Sequence, residues 1–81
     1  MQSHLVAIEG MKFVPERLEV AAGDAVTWVN RDLVPHTVTA PGVDSGVIAP
    51  GASWKFVARR PAEMRYVCRF HPTMKAVLVV K

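Results

Sequence analysis

The stretch MRYVCRFHPTMKAVLVVK, Met64–Lys81, holds the only cysteine of the chain, a histidine three places after it and a methionine three places further on. Side chains two apart in an extended strand share a face, so Met64, Tyr66 and Cys68 point to one side. The closing segment KAVLVVK is apolar at both parities, as expected of a strand covered on two sides. Pro72 marks a turn between the two strands. On this reading His71 and Met74 lie beyond the strand of Cys68, in a turn that folds back over the thiol.

Outward from this stretch, short apolar and β-branched runs alternate with Gly, Pro, Asp and Asn at intervals of roughly eight to twelve residues, the spacing of an all-β sandwich or barrel. Val6 with Ile8 and Leu18 with Val20 mark two strands, the second introduced by Pro15 and closed by Gly23-Asp24. Val26 and Trp28 share a face of a third, which ends in a turn at Asn30-Arg31-Asp32. PHTVTA follows, then a Gly- and Pro-rich loop from Pro41 to Gly51. SWKFVA alternates Trp54, Phe56 and Ala58 inward against Ser53, Lys55 and Val57 outward, and a turn at Arg60-Pro61 leads back to Met64. Helical spacing explains none of these segments. The expectation is an all-β fold of about seven to eight strands, with residues 1–81 forming a single domain.

Composition removes several function classes. Ten Lys and Arg against seven Asp and Glu leave a net charge of +3, but the basic residues form no run or basic-aromatic stripe, which argues against nucleic-acid binding. No apolar stretch reaches membrane-spanning length, so no membrane insertion is expected. A mildly basic surface favours acidic partners. A lone Cys68 cannot close an internal disulfide, and in so small a domain a bound metal is the natural substitute for that staple. His4, near the terminus and without a partner motif, reads as a surface residue. Trp28, Trp54 and Phe56 read as core, and Lys12, Arg59 and Arg60 as a solvated face.

The remaining histidines are better placed. His36 shares its strand face with Val38 and Ala40 and therefore points inward, as Cys68 does. An inward histidine at a strand start and a downstream Cys-x-x-His-x-x-Met segment enclose one small volume. Two neutral imidazoles, a thiolate and a weak thioether make the trigonal site with axial methionine used by blue-copper electron carriers. Zinc binds the same donor types, although catalytic zinc keeps an open position that a methionine over the metal would occupy.

The pattern Tyr66-x-Cys68-x-x-His71-Pro72-x-Met74 with the upstream Pro35-His36 resembles the cupredoxins, most of all the amicyanin-like group, ahead of the longer-looped plastocyanin and azurin types. The framework Phe13-x-Pro15, Leu18-x-Val20, Gly23-Asp24 and Val26-x-Trp28-x-Asn30-x-Asp32 extends the likeness over nearly the whole chain. The resemblance implies a Greek-key β-sandwich with one copper per chain, held by His36, Cys68, His71 and Met74. It also implies a type 1 (blue) copper electron-transfer protein shuttling one electron between redox protein partners, in the periplasm or otherwise outside the cytoplasm. A monomer is expected, and with no second metal-binding cluster in the sequence no enzyme activity is expected. Copper storage or delivery through the same ligands is the alternative. Two positions depart from the family pattern. Thr37 stands where an asparagine commonly ties the two ligand loops, and its hydroxyl is expected to make a shorter tie. Arg69-Phe70 replaces small residues or proline between Cys68 and His71, and the Arg69 and Lys75 charges are expected to disfavour Cu(II) and raise the potential. Pro35, Phe70 and Pro72 are expected to form an apolar rim around His71, where partners would dock.

Overall fold

Alternation is visible strand by strand in the computed structural model, which describes residues 1–81. In β1 (Ser3–Ile8) Val6 and Ile8 are buried while Ser3 and Leu5 face out. β2 (Phe13–Val14) and β3 (Arg17–Val20) bury Phe13 and Val20 on the same principle, and β4 (Ala25–Asn30) buries Val26, Trp28 and Asn30. Then come β5 (Thr39–Ala40), β6 (Val43–Asp44), β7 (Ser53–Val57), β8 (Ala62–Cys68) and β9 (His71–Val80). There are nine strands rather than seven or eight because the two-residue pieces β2, β5 and β6 stand as separate elements.

Two mixed sheets face each other. The first runs β2-β1-β4-β7 and the second β3-β9-β8-β5-β6. β1 is parallel to β4 and β3 parallel to β9; the other pairings are antiparallel. The chain therefore changes sheet repeatedly, in the Greek-key manner expected of a sandwich. The core between the sheets contains Val6, Ile8, Phe13, Val26, Trp28, Val38, Tyr66, Cys68, Met74 and Leu78. Its aromatic centre is tightly organised. Tyr66 packs edge-on against Phe13, with ring centroids 4.7 Å apart, and against Trp28 at 5.5 Å. The Trp28 indole N–H donates to the Tyr66 hydroxyl at 3.2 Å, so neither polar atom is left without a partner. Burial pushes the Tyr66 phenol up to about 12.

Three expectations need correction. The turn after Cys68 is Arg69-Phe70, and His71, Pro72, Thr73 and Met74 already belong to β9. The strand accommodates them through a register shift, because Val67 pairs with Lys75 whereas Cys68 pairs with His71. The three residues Pro72–Met74 are thus extra on the β9 side, an enlarged bulge that re-aims side chains at the end of the sheet. Second, β9 is not covered on both faces. Leu78 and Val80 are buried, but Val77 and Val79 on the outer side are only half-buried. Third, His4 is not a free surface residue. Its Nε2 lies 2.9 Å from Asp24 Oδ2, and Asp24 also accepts the backbone N–H groups of Gln2 and Ala21, so it clasps the start of β1 to the β3–β4 turn.

Candidate metal centre

The site is built where β4, β5 and the β8–β9 turn end together. Asn30, fully buried at the end of β4, spends its whole amide on this corner. Its Nδ2 donates to the carbonyls of Val34 and Ile48, at 2.9 and 2.8 Å, and its Oδ1 accepts the Asp32 N–H at 2.9 Å. His36 and Ile48 then exchange backbone hydrogen bonds, which fixes the height of His36 against the neighbouring loop. The sequence reading of Asn30-Arg31-Asp32 as a turn holds. The longer task of these side chains is to hold the histidine.

His36 and Cys68 are wholly buried, Met74 is nearly so, and His71 is partly exposed. One donor atom each from His36, Cys68 and His71 lies within 4.8 Å of the others. His36 Nδ1 is 3.5 Å from Cys68 Sγ. The two imidazole rings meet at an angle of 62° with centroids 5.3 Å apart. An ion bonded to nitrogen at about 2.0 Å and to sulfur at about 2.3 Å, at tetrahedral to trigonal angles, holds those atoms roughly 3.5 to 3.7 Å apart. The His36–Cys68 separation therefore fits a shared ion. Met74 lies on the extra segment of β9, buried in the same core cluster as Cys68. The four side chains singled out in the sequence are arranged as a potential copper site.

The surroundings orient these donors. Asp32 Oδ2 is 2.8 Å from His36 Nε2 and accepts its N–H, which leaves the Nδ1 lone pair facing Cys68. That carboxylate is itself anchored by two adjacent backbone donors, Gly10 N–H at 2.8 Å and Met11 N–H at 3.0 Å. Both residues have positive φ, 64° and 60°, the left-handed conformation that aims successive N–H groups at one anion. Burial pushes the Asp32 carboxyl upward, and the hydrogen bonds from Met11, His36 and Gly10 together outweigh it, holding the group below its ordinary value. Sequence reasoning missed Asp32 as a partner of His36. The only available signal was a carboxylate four residues before a histidine across a loop.

Thr37 supplies the tie expected of it. Its Oγ1 accepts the Arg69 N–H at 2.8 Å and is 2.9 Å from Thr39 Oγ1, joining the loop of His36 to the turn after Cys68. Its own N–H points at Cys68 Sγ from 3.4 Å, a donor placed to favour negative charge on sulfur. No buried side-chain nitrogen or oxygen lacks a partner. Arg69 differs from its expected role as a bare cation beside the thiol. Its guanidinium reaches away to Asp44, 2.7 Å from Oδ2, and lies 5.9 Å from the Phe70 ring centroid. Asp44, hydrogen-bonded first by the Gly46 N–H and then paired with Arg69, is held below the ordinary carboxylate range. Around this end Leu33, Val34 and Phe70 are exposed apolar groups, 95%, 40% and 45% accessible, beside the exposed Pro35 and Pro72.

Comparison with known proteins agrees with this geometry. A family model described as a cupredoxin-like domain matches residues 1–80. Amicyanin-alpha of Methylorubrum extorquens is 35% identical over an alignment of 83 positions, spanning 94% of this chain and 70% of that protein. Amicyanin of Paracoccus denitrificans is 30% identical over 87, spanning 95% of this chain but only 64% of that protein, so the chain is shorter than these relatives. A solved copper(I) form of an amicyanin variant superposes with a TM-score of 0.94 at 28% identity, covering 98% of this chain and 82% of that one.

Proposed function

The chain belongs to the cupredoxin-like family, and from that premise we propose that residues 1–81 act as a single type 1 (blue) copper domain, with His36, Cys68, His71 and Met74 as ligands to one copper ion. It is an electron carrier rather than an enzyme, working as a monomer outside the cytoplasm, in the periplasm, between protein redox partners. The observation that carries this reading is the convergence of His36 with Cys68 and His71, which flank a distant turn, so that their donor atoms lie within 4.8 Å of one another. Copper held there supplies one-electron chemistry by alternating between Cu(II) and Cu(I).

The protein's part is to keep its donors still. Asp32 fixes the His36 tautomer and ring orientation, and Thr37 binds the two ligand-bearing segments into one unit. His36 is braced through its backbone by Ile48, which Asn30 also holds, and Cys68 closes β8 in register with His71 at the start of β9. Buried Cys68 and Met74 are shielded from water, whereas His71 is partly exposed, and Pro35, Phe70 and Pro72, next to the ligands in sequence, are exposed. That partial exposure supports its role as the point of electron entry and exit. A small apolar rim suits a brief redox encounter, and the +3 charge favours acidic partners.

Voltammetry of the copper-loaded protein tests the proposal. A reversible wave of one electron per chain is expected, absent in Cys68→Ser. A protein that holds copper without a reversible wave would instead support storage or delivery, and one that binds none would overturn both.

A further inference from the structure

At the other end of β8 the sandwich is left open. A cleft of about 580 Å³ is lined on its apolar side by Phe56, Met64 and Val80 and on its charged side by Arg59, Arg60, Arg65 and Glu63. It lies where both sheets run short of partners. β7 is the last strand of the first sheet, with β4 on one side and nothing on the other. β8 meets β5 only at Thr39 and Val67, so its segment Ala62–Tyr66 has no strand beside it on that side. Two stretches of backbone with unused N–H and C=O groups thus border one groove with an apolar floor. We propose that this groove is a second interaction surface, which takes an extended acidic segment of a partner protein as an added strand along β7.

The form of the occupant follows from the backbone. A free strand edge beside alternating apolar positions recognises an extended chain through main-chain hydrogen bonds, with every second side chain entering the groove. Its charge follows from the border. Arg65 is paired with Glu63 at 2.7 Å, but Arg59 and Arg60 on the turn after β7 have no acidic partner within ion-pair distance, nor has Lys55, which stands on β7 outside the groove lining. The groove therefore carries surplus positive charge that only an acidic segment neutralises. A second copy of this chain is disfavoured, since two chains of +3 would bring Lys55 against Lys55 along the shared edge. The groove is lined along β8 from Ala62 to Arg65, six to three steps from Cys68, so at about 3.3 Å each it spans roughly 20 to 10 Å from the thiol. The groove lining contains neither His71 nor any of Pro35, Phe70 and Pro72, so its occupant is distinct from a partner at the His71 rim.

The test uses the metal-free 81-residue protein, which separates it from the copper proposal. A synthetic peptide alternating Glu and Val over about eight residues, the length of an ordinary strand, is titrated while backbone amide signals are followed. Saturable shifts should appear from Lys55 to Arg65, with slowed hydrogen exchange at alternate β7 amides and weaker binding as salt rises. Arg59→Ser with Arg60→Ser, both exposed, should weaken binding roughly three- to tenfold without altering the fold, as loss of two surface ion pairs predicts. Equal binding of a peptide alternating Lys and Val would overturn the proposal. So would shifts confined to the His71 end, no shift at millimolar peptide, or concentration-dependent self-association through β7.

Discussion

Replacing Thr37 by valine removes one oxygen at nearly constant volume, and the structure says where the cost falls. The lost Oγ1 accepts the Arg69 N–H at 2.8 Å, in the turn that must return the chain from Cys68 to His71. Thr37 is wholly buried, so no water replaces it from that side. A stranded, partly buried donor costs about 1–2 kcal/mol, the lower part of the range for an unsatisfied group because the Arg69 N–H is not fully enclosed. For a domain of this size that corresponds to a fall in Tm of roughly 4–16 °C. Thermal unfolding of metal-free Thr37→Val against the parent measures it. Hydrogen exchange at the Arg69 amide localises it, with an acceleration of roughly five- to thirtyfold expected from the same energy. Thr37→Ser provides the control. It loses a buried methyl worth about 0.8 kcal/mol but keeps the acceptor, so the Arg69 amide should stay slow even though overall stability drops. An unchanged Tm and unchanged Arg69 exchange in Thr37→Val would refute the claim that this hydroxyl ties the loops.

Other consequences are as direct. Asp32→Ala frees the His36 Nε2–H and should weaken copper binding roughly 10–100-fold in chelator competition; an unaltered affinity would mean the carboxylate does not position the ring. Asp24, held down to about 2 first by His4 and then by the Gln2 and Ala21 N–H groups, has a folded value below its unfolded one of 3.8. Its stabilising effect is thus complete above the unfolded value and lost as pH falls through the window from there to about 2. Asp24→Asn should lower Tm near neutrality and lose that disadvantage progressively in acid, and a penalty constant with pH would count against the His4–Asp24 clasp. The Arg69–Asp44 pair is half exposed and nearly neutral as a unit. Arg69→Ala should therefore lower the copper potential and Asp44→Ala raise it, with the double variant close to the parent; shifts of the same sign would show that the charges act through structure instead.

How far the sequence could be read depended on the range of each interaction. Strand parity is local, and it placed Val6, Val26, Trp28, Tyr66, His36 and Cys68 inward, as they are. The donor set was legible because Cys68, His71 and Met74 are close in sequence and His36 falls on the inward parity of its segment, although it makes only an isolated bridge to Ile48 and the strand starts later, at Thr39. The chain does not announce which distant group meets which. Asp32 reaches Gly10 and Met11 across 22 and 21 positions, His4 reaches Asp24 across 20, and Arg69 finds Asp44 across 25. Those pairings depend on sheet order, which alternation alone leaves open. The same blindness explains the β9 boundary. Pro72 was a sound turn signal, but pairing of Cys68 with His71 lets the strand restart before the proline and carry its three extra residues as a bulge. The open groove beside β7 was equally out of reach, because a missing neighbour is a property of topology rather than of any residue.

Electron carriage by this chain requires His36, Cys68 and His71 to close around a single copper ion, and a titration of the metal-free protein with Cu(II), followed by optical absorption and electron paramagnetic resonance, tests this most directly. The expected result is an intense visible thiolate-to-copper band that saturates at one copper per chain, with narrow copper hyperfine splitting, and that is lost in Cys68→Ser and displaced in His36→Ala. A colourless complex with ordinary wide splitting, or a band unaffected by His36→Ala, would contradict it.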